Sequence, residues 1–256
     1  MDLVLRKGET VNISYATGSI MLWLTLAAVA LANGTQIALH EGSNDPETEG
    51  WTRERSFSNV DTFPISNDLG SGIDAWAVYD NGFSDGYYQY NLTPEQGALA
   101  STFGWKLTTT IRVVDFVELS PTDSATKVGF GSYDLKFGAL SDGTPQVSVY
   151  GISDILTLNG LDSGYHLYEL VFDPSENNAD LFVNGYLQAS DLISTTTASP
   201  ANVMFGSTVG NGEGGVGATG RANYSLVNLQ AVPEPNSIVL VIAGLLAAAG
   251  AGSWRH

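Results

Sequence analysis

Tyr165-His166-Leu167-Tyr168-Glu169-Leu170-Val171-Phe172-Asp173-Pro174, followed shortly by Ala179-Asp180-Leu181-Phe182-Val183-Asn184-Gly185-Tyr186-Leu187, is the stretch that decides the fold. In the first segment His166, Tyr168, Leu170 and Phe172 recur at every second residue, opposite Leu167, Glu169, Val171 and Asp173. A period of two is the signature of a β-strand with two distinct faces. Asn184-Gly185 supplies the two positive φ angles of a type I′ turn, so the run from Leu181 to Leu187 reads as a hairpin. Pro174 sits just past the strand end, where a missing N–H costs no ladder bond.

The same pattern extends outward in both directions. Trp105, Leu107, Thr109, Ile111 and Val113 share one face of a strand, and Lys106, Thr108, Thr110 and Arg112 share the other. Short runs rich in Val, Ile, Thr, Tyr and Phe recur from Gln36–His40 to Arg221–Gln230, separated by Gly, Asn, Asp and Ser turns. No stretch between Asn33 and Ala231 carries apolar residues at a helical period. The expectation is an all-β domain: two packed antiparallel sheets. With both ends removed, about 200 residues remain, enough for one core.

The ends carry a different message. Ile20 to Ala32 reads IMLWLTLAAVALA, an apolar run of 13 residues preceded by Arg6 and Lys7 and closed by Ala30-Leu31-Ala32. Charge, apolar stretch and small-residue exit predict a secretory signal over residues 1–32, cleaved after Ala32. At the other end, Val232-Pro233-Glu234-Pro235 precedes an apolar run of 17 residues, Ile238 to Trp254, then Arg255-His256. That length suits a membrane helix with its basic end in the cytoplasm. The prolines cannot extend the helix backward and keep their motif extended.

Pro233-Glu234-Pro235, an apolar helix and a basic terminus together resemble the PEP-CTERM sorting signal, so residues 232–256 are expected to form a sorting segment. The resemblance implies processing by an exosortase-type enzyme and delivery to the outer surface or extracellular matrix. The terminal run of arginines usual in that class is reduced here to Arg255. Within residues 33–231, the segments quoted first resemble a hairpin of concanavalin A-like lectin/glucanase domains, a group that includes laminin-G-like modules. Val203-Met204-Phe205-Gly206-Ser207 and Ala222-Asn223-Tyr224-Ser225-Leu226-Val227 are similar to strands that follow it there. The resemblance implies a two-sheet antiparallel jelly-roll sandwich, flanked by an N-terminal signal helix and a C-terminal hydrophobic helix. Upstream, Tyr87-Tyr88-Gln89-Tyr90-Asn91-Leu92, Gly104-Trp105-Lys106-Leu107 and Ile111-Arg112-Val113 resemble lectin-like modules attached to bacterial sialidases.

Composition removes several functions. There is no cysteine, which excludes disulfides and thiolate chemistry. The net charge is −17, and residues 33–231 keep 24 acids against 7 bases, so no basic patch exists to meet a nucleic acid. The E-x-D-x-x-E strand of glucanases is absent. Glu169 and Asp173 share a strand face but stand ~13 Å apart at ~3.3 Å per residue, and Asp115 and Glu118 bracket a strand end. Gly82-Phe83-Ser84-Asp85-Gly86 matches a nucleophile elbow in letters, but a Tyr-rich strand follows where the elbow needs a helix. His40 and His166 read as structural residues, His256 belongs to the tail, and Asn211-Gly212-Glu213-Gly214-Gly215 has no following helix to make a phosphate loop. No His-x-x-x-His metal pair occurs.

Two binding sites are expected instead. Sugar sites set aromatic faces against the apolar side of a ring and reach its hydroxyls with amide, carboxylate and Arg groups. Trp76, Asp80, Tyr87, Gln89 and Arg112 are the candidates for a shallow carbohydrate site. Asn44, Asp45 and Glu47 gather hard oxygen donors in one loop and are the candidates for Ca²⁺, the one cation this reading allows; no cofactor is required. The functional expectation is an exported, non-catalytic module that binds carbohydrate or extracellular polysaccharide. A glycan-processing enzyme of the same fold, hydrolase or lyase, and a purely structural envelope protein are the alternatives.

Overall fold

Alternation along each strand becomes two sheets when the apolar faces are turned toward each other. The computed structural model describes residues 34–54, 60–80, 86–115, 118–119, 125–194, 201–208 and 220–232. Residues 1–33 and 233–256, where the signal and most of the sorting segment are expected, lie outside the described residues with Ala32, Pro233, Glu234 and Pro235, as do Gly82 to Asp85 and Asn211 to Gly215.

One antiparallel sheet has eight strands: β1 (Thr35–Glu41), β3 (Val60–Asp68), β4 (Ile73–Asp80), β6 (Trp105–Val113), β11 (His166–Asp173), β12 (Asn178–Val183), β13 (Tyr186–Leu192) and β15 (Gly220–Ala231). Their order is β13-β12-β11-β6-β15-β4-β3, with β1 also paired to β15. The other has seven: β2 (Thr52–Glu54), β5 (Gly86–Asn91), β7 (Ala125–Phe130), β8 (Tyr133–Ala139), β9 (Pro145–Val149), β10 (Leu156–Thr157) and β14 (Asn202–Thr208), in the order β10-β9-β8-β7-β14-β5-β2.

The inner faces share one core. Trp105, Leu107 and Ile111 of β6, Tyr168 and Leu170 of β11, and Tyr224, Val227 and Leu229 of β15 meet Val128, Phe130, Leu135, Phe137, Val203 and Phe205 of the other sheet. Aromatic pairs fill it. Trp105 stacks on Phe172 at 5.3 Å and meets Phe130 and Tyr133 edge-on. Phe205 stands among His40, Trp51, Tyr88 and Tyr224 at 4.9 to 5.2 Å. Several polar tips caught in this core are paired across the sheets. Tyr224 OH donates to the carbonyls of Lys127 and Gly206, Ser207 Oγ to Asp80 Oδ2 at 2.7 Å, and Trp76 Nε1 to Tyr88 OH at 3.2 Å. A buried phenol or carboxylate without such a partner destabilises the fold by 1–3 kcal/mol or more, roughly.

The hairpin at Asn184-Gly185 forms as the residues dictate, with φ of 50° and 80°. Three elements depart from the sequence reading. A ten-residue helix, α1 (Pro94–Phe103), follows β5. Its signal lies in its ends: Thr93 caps it, Pro94 takes the first turn, Gln96 completes the capping box and Gly104 closes it. Only Ala100 is buried, so no apolar period advertised it. The strand β3 was hidden by Pro64, which is tolerated because β3 is a sheet edge and needs ladder bonds on one side only. The three-residue β2 is too short to show a period.

Truncating Trp105 or Phe205 to Ala removes a ring from a filled core, and each change is expected to cost ~3–5 kcal/mol. The exposed Tyr186, at 74 % accessibility, is expected to change stability by less than ~0.5 kcal/mol when made Ala. Urea unfolding of the variants checks both.

Candidate functional site

A sheet whose inner face is committed to the core has its outer face for function. On the eight-stranded sheet the central strand β15 turns Ala222 and Tyr224 inward, so Arg221 and Asn223 point outward. The register sets Asn223 beside Ala77 of β4 on one side and Arg112 of β6 on the other. Arg221 stands beside Tyr79, which lies on the half-buried outer side of β4. Gly42 keeps the loop after β1 flat on this face, since a Cβ there would meet the Ala75 Cα at 2.6 Å.

Asp68, at the end of β3, completes the cluster. In a flat sheet β3 and β6 are three spacings apart, roughly 14 Å. A register shift between Ile65 and Asp68, with left-handed backbone at Asn67 and Leu69, carries the carboxylate over the face. There it accepts from Arg112 Nη1 at 3.0 Å on both oxygens, from Tyr165 OH at 2.8 Å and from Asn223 Nδ2 at 2.7 Å. Arg112 Nε also donates to the Ser163 carbonyl, and the Asn67 N–H donates to Asp74 Oδ1. Four segments far apart in sequence thus meet on one carboxylate.

The electrostatics follow from this geometry. Burial pulls the Asp68 carboxyl upward, but donation from Asn223, Tyr165 and Arg112 outweighs it and holds the group below its ordinary value. Burial and the neighbouring Asp68 charge push the Tyr165 phenol up. At neutral pH the cluster holds a fixed carboxylate, a fixed guanidinium and a neutral phenol. Its groups are held in fixed charge states by one another, with no group poised to shuttle a proton.

The residues expected to form one sugar site lie on three different surfaces. Trp76 and Asp80 face the core between the sheets, at 6 % and 2 % exposure, because the inward set of β4 is Trp76, Val78 and Asp80. Their polar atoms hold the sheets together through Tyr88 and Ser207. Tyr87 and Gln89 are on the outer side of the seven-stranded sheet, where Gln89 Nε2 donates to Asn91 Oδ1. Arg112 alone of the five belongs to the cluster. Sequence reasoning missed Asp68, Tyr165 and Asn223, whose proximity depends on sheet order; Tyr79 and Arg221 are brought together by the same register.

The loop expected to take Ca²⁺ has other work for its oxygens. Asp45 caps a short 3-10 turn, Pro46–Glu49, by accepting from the Glu47 N–H. Glu47 pairs with Arg53, and Asn44 Nδ2 donates to Glu49 Oε1. Glu49 also takes the Glu41 N–H and the His40 ring at 2.7 Å, which ties the loop to β1. Among the described residues no group of three or more His, Cys, Asp or Glu is arranged for a metal. His166 is satisfied as a core residue, with Nε2 on the Asp162 carbonyl and Nδ1 accepting from Asn184. Glu169 pairs with Lys106, and Asp173 caps the turn after β11.

No family model matches the chain. Two curated sialidases of Vibrio cholerae serotype O1 strains are each 26 % identical over 204 residues, covering 75 % of this chain and 25 % of the relative. The chain therefore spans about a quarter of those proteins' length. Among solved structures, the binding domain of botulinum neurotoxin DC in complex with rat synaptotagmin II superposes with a TM-score of 0.50 at 11 % identity. It covers 82 % of this chain and 51 % of the other. The same toxin's binding domain in complex with SialylT gives 0.51 at 12 % identity, over 84 % and 52 %. A structure of botulinum neurotoxin type C, whose cell entry is dependent upon interaction with two ganglioside molecules, gives 0.50 at 12 %, over 83 % and 51 %. At these identities the likeness is one of fold.

Asp68→Ala leaves Arg112 without its carboxylate on a largely covered face and is expected to cost ~3 kcal/mol at pH 7. Because the Asp68 carboxyl titrates below its ordinary value, its contribution is full above about pH 4 and is lost as pH falls further. Urea unfolding is expected to show the gap between the protein and the variant closing over that acid range.

Proposed function

We propose that this chain is an exported, surface- or matrix-associated, non-catalytic module of the concanavalin A-like jelly-roll type, which binds carbohydrate on the outer face of its eight-stranded sheet. The observation that carries the proposal is the cluster of Tyr79, Asp68, Arg112, Tyr165 and Asn223. It gathers a carboxylate, a guanidinium, a phenol and an amide on one sheet face, with Tyr79 on the same face of β4 opposite Arg221, the mixture that sugar recognition uses. The fold neighbours support the ligand class, since gangliosides and SialylT are partners of those toxins.

Within the cluster the fixed, mutually paired groups favour binding over hydrolysis. A glycosidase acid needs its carboxyl raised toward neutrality. Burial pulls Glu49 and Asp68 upward, yet the donors around them win and both titrate low. The sialidase relatives keep glycan processing as the second reading, and release of reducing sugar from a bound glycan would establish it.

The address is part of the proposal. Residues 1–32 direct export, and Pro233-Glu234-Pro235 with the apolar run after it is the segment an exosortase-type enzyme would act on. Among the described residues no helix is long and apolar enough to cross a membrane, and Ile238 to Trp254 lie outside them. N-terminal sequencing of the protein recovered from the envelope is expected to begin at Asn33; an uncleaved Met1 would remove the export reading.

A glycan array probed with the full-length protein tests the ligand class. Selective binding is expected, weakened about tenfold or more by Tyr79→Ala and unchanged by Tyr87→Ala on the opposite sheet. A blank array, or equal loss in both variants, contradicts the proposal.

A further inference from the structure

A sheet edge carries a row of unpaired N–H and C=O groups, which natural chains blunt against strand addition. Most edges of this sandwich are blunted. β10 is two residues long and β2 three. β3 carries Pro64 between Asp61 and Asp68. Along β1 the outward groups are taken by side chains: Gln96 Nε2 donates to the Ile37 carbonyl, Trp51 Nε1 to the Leu39 carbonyl, and the Glu41 N–H donates to Glu49 Oε1.

β13 is the exception. It runs for seven residues, Tyr186 to Leu192, with no proline, no base and the single acid Asp191. Among the described residues, three of the five exposed large apolar side chains, Tyr186, Leu187 and Ile193, lie on it or directly after it. Leu187 is 55 % exposed and stands beside Phe182 of β12 on the outer sheet face. Phe182 in turn stands beside Glu169, whose charge is met by Lys106. The register shifts of β13 come after Leu187, so the strand is regular where it leaves the turn. Val183 and Tyr186 flank Asn184-Gly185 and exchange the hydrogen bonds that close the hairpin. The next pair, Phe182 and Leu187, therefore does not, and the N–H and C=O of Leu187 point away from β12 into the open edge.

We propose that a second copy of this chain adds at this edge, β13 against β13 and antiparallel, about a two-fold axis through Leu187. A strand is its own antiparallel complement about such an axis. The two Leu187 residues exchange both backbone hydrogen bonds, and each side chain covers the other. Charge selects the place: with 27 acids against 10 bases, two copies repel across most of their surface, and β13 is an apolar edge with one acid. In this register Ser190 falls opposite Asn184 of the second copy and Asp191 just beyond it, so the acid of the strand faces no acid in the pairing. The axis is perpendicular to the sheet. Two eight-stranded sheets thus join with their outer faces on the same side, and a polymer reaching one face meets both.

A chain without cysteine allows a direct test. Leu187→Cys in the full-length protein sets two thiols on the axis, where paired Cα atoms stand about 5.5 Å apart, within disulfide range. In air-saturated buffer this variant is expected to form a linked dimer at least about tenfold faster than Leu69→Cys, whose site is as exposed but lies on a different hairpin. Added salt is expected to speed the linkage by screening the repulsion between copies. Leu187→Asp is expected to stay monomeric by light scattering at concentrations where the unaltered protein dimerises, with its thermal unfolding unchanged. Equal linkage at both cysteines, no linkage at Leu187→Cys, or a dimer that persists in Leu187→Asp overturns the inference. Glycan binding enters none of these readouts, so the proposed function is judged separately.

Discussion

The pleat of β15, two residues per repeat on either side of a bulge at Tyr224–Leu226, is the constraint on which the rest depends. This strand lies in the middle of the eight-stranded sheet, paired with β6 on one side and with β4 and then β1 on the other. Tyr224, Val227 and Leu229 must enter the core, and Tyr224 ties the two sheets together through its hydroxyl. Given that commitment, Arg221 and Asn223 have nowhere to go but the outer face. A slip of one residue would bury a guanidinium and an amide among aromatic rings and expose the residues that hold the sheets together. Core and site are therefore specified by the same register.

The site is built from the sheet outward. Arg112, Tyr165 and Asn223 belong to the interior of the sheet or its immediate flank, and Asp68 is brought to them by an edge hairpin with left-handed backbone. Such a carboxylate is both a latch and a surface feature. It fixes the hairpin on the sheet, and it keeps three donors aligned on a face that would otherwise disperse them. The groups are preorganised and fixed in charge, which suits recognition better than proton transfer.

Strand positions were legible in the sequence because β6 and β11 alternate without interruption and because Asn184-Gly185 permits one kind of turn. The helix Pro94–Phe103 was not, since its specification lies in Thr93, Pro94 and Gln96 and not in an apolar period. The site was legible only through Arg112, a rare base on a polar strand face. Trp76 and Asp80 misled for a physical reason: a strand with Ala75, Ala77 and Val78 around them gives no sign of which face is dry. Asp68, Tyr165 and Asn223 stand 44 to 155 positions from their partners in the cluster, so only the order of strands reveals them.

The most direct test of the central claim is a map of glycan-induced amide shifts by two-dimensional NMR of the protein with the best-binding glycan. Shifts concentrated at Tyr79, Arg112, Arg221 and Asn223 are the predicted result, because those residues share one outer face. Shifts concentrated at Tyr87 and Gln89, on the other side of the sandwich, would contradict the account and move the binding face to the seven-stranded sheet.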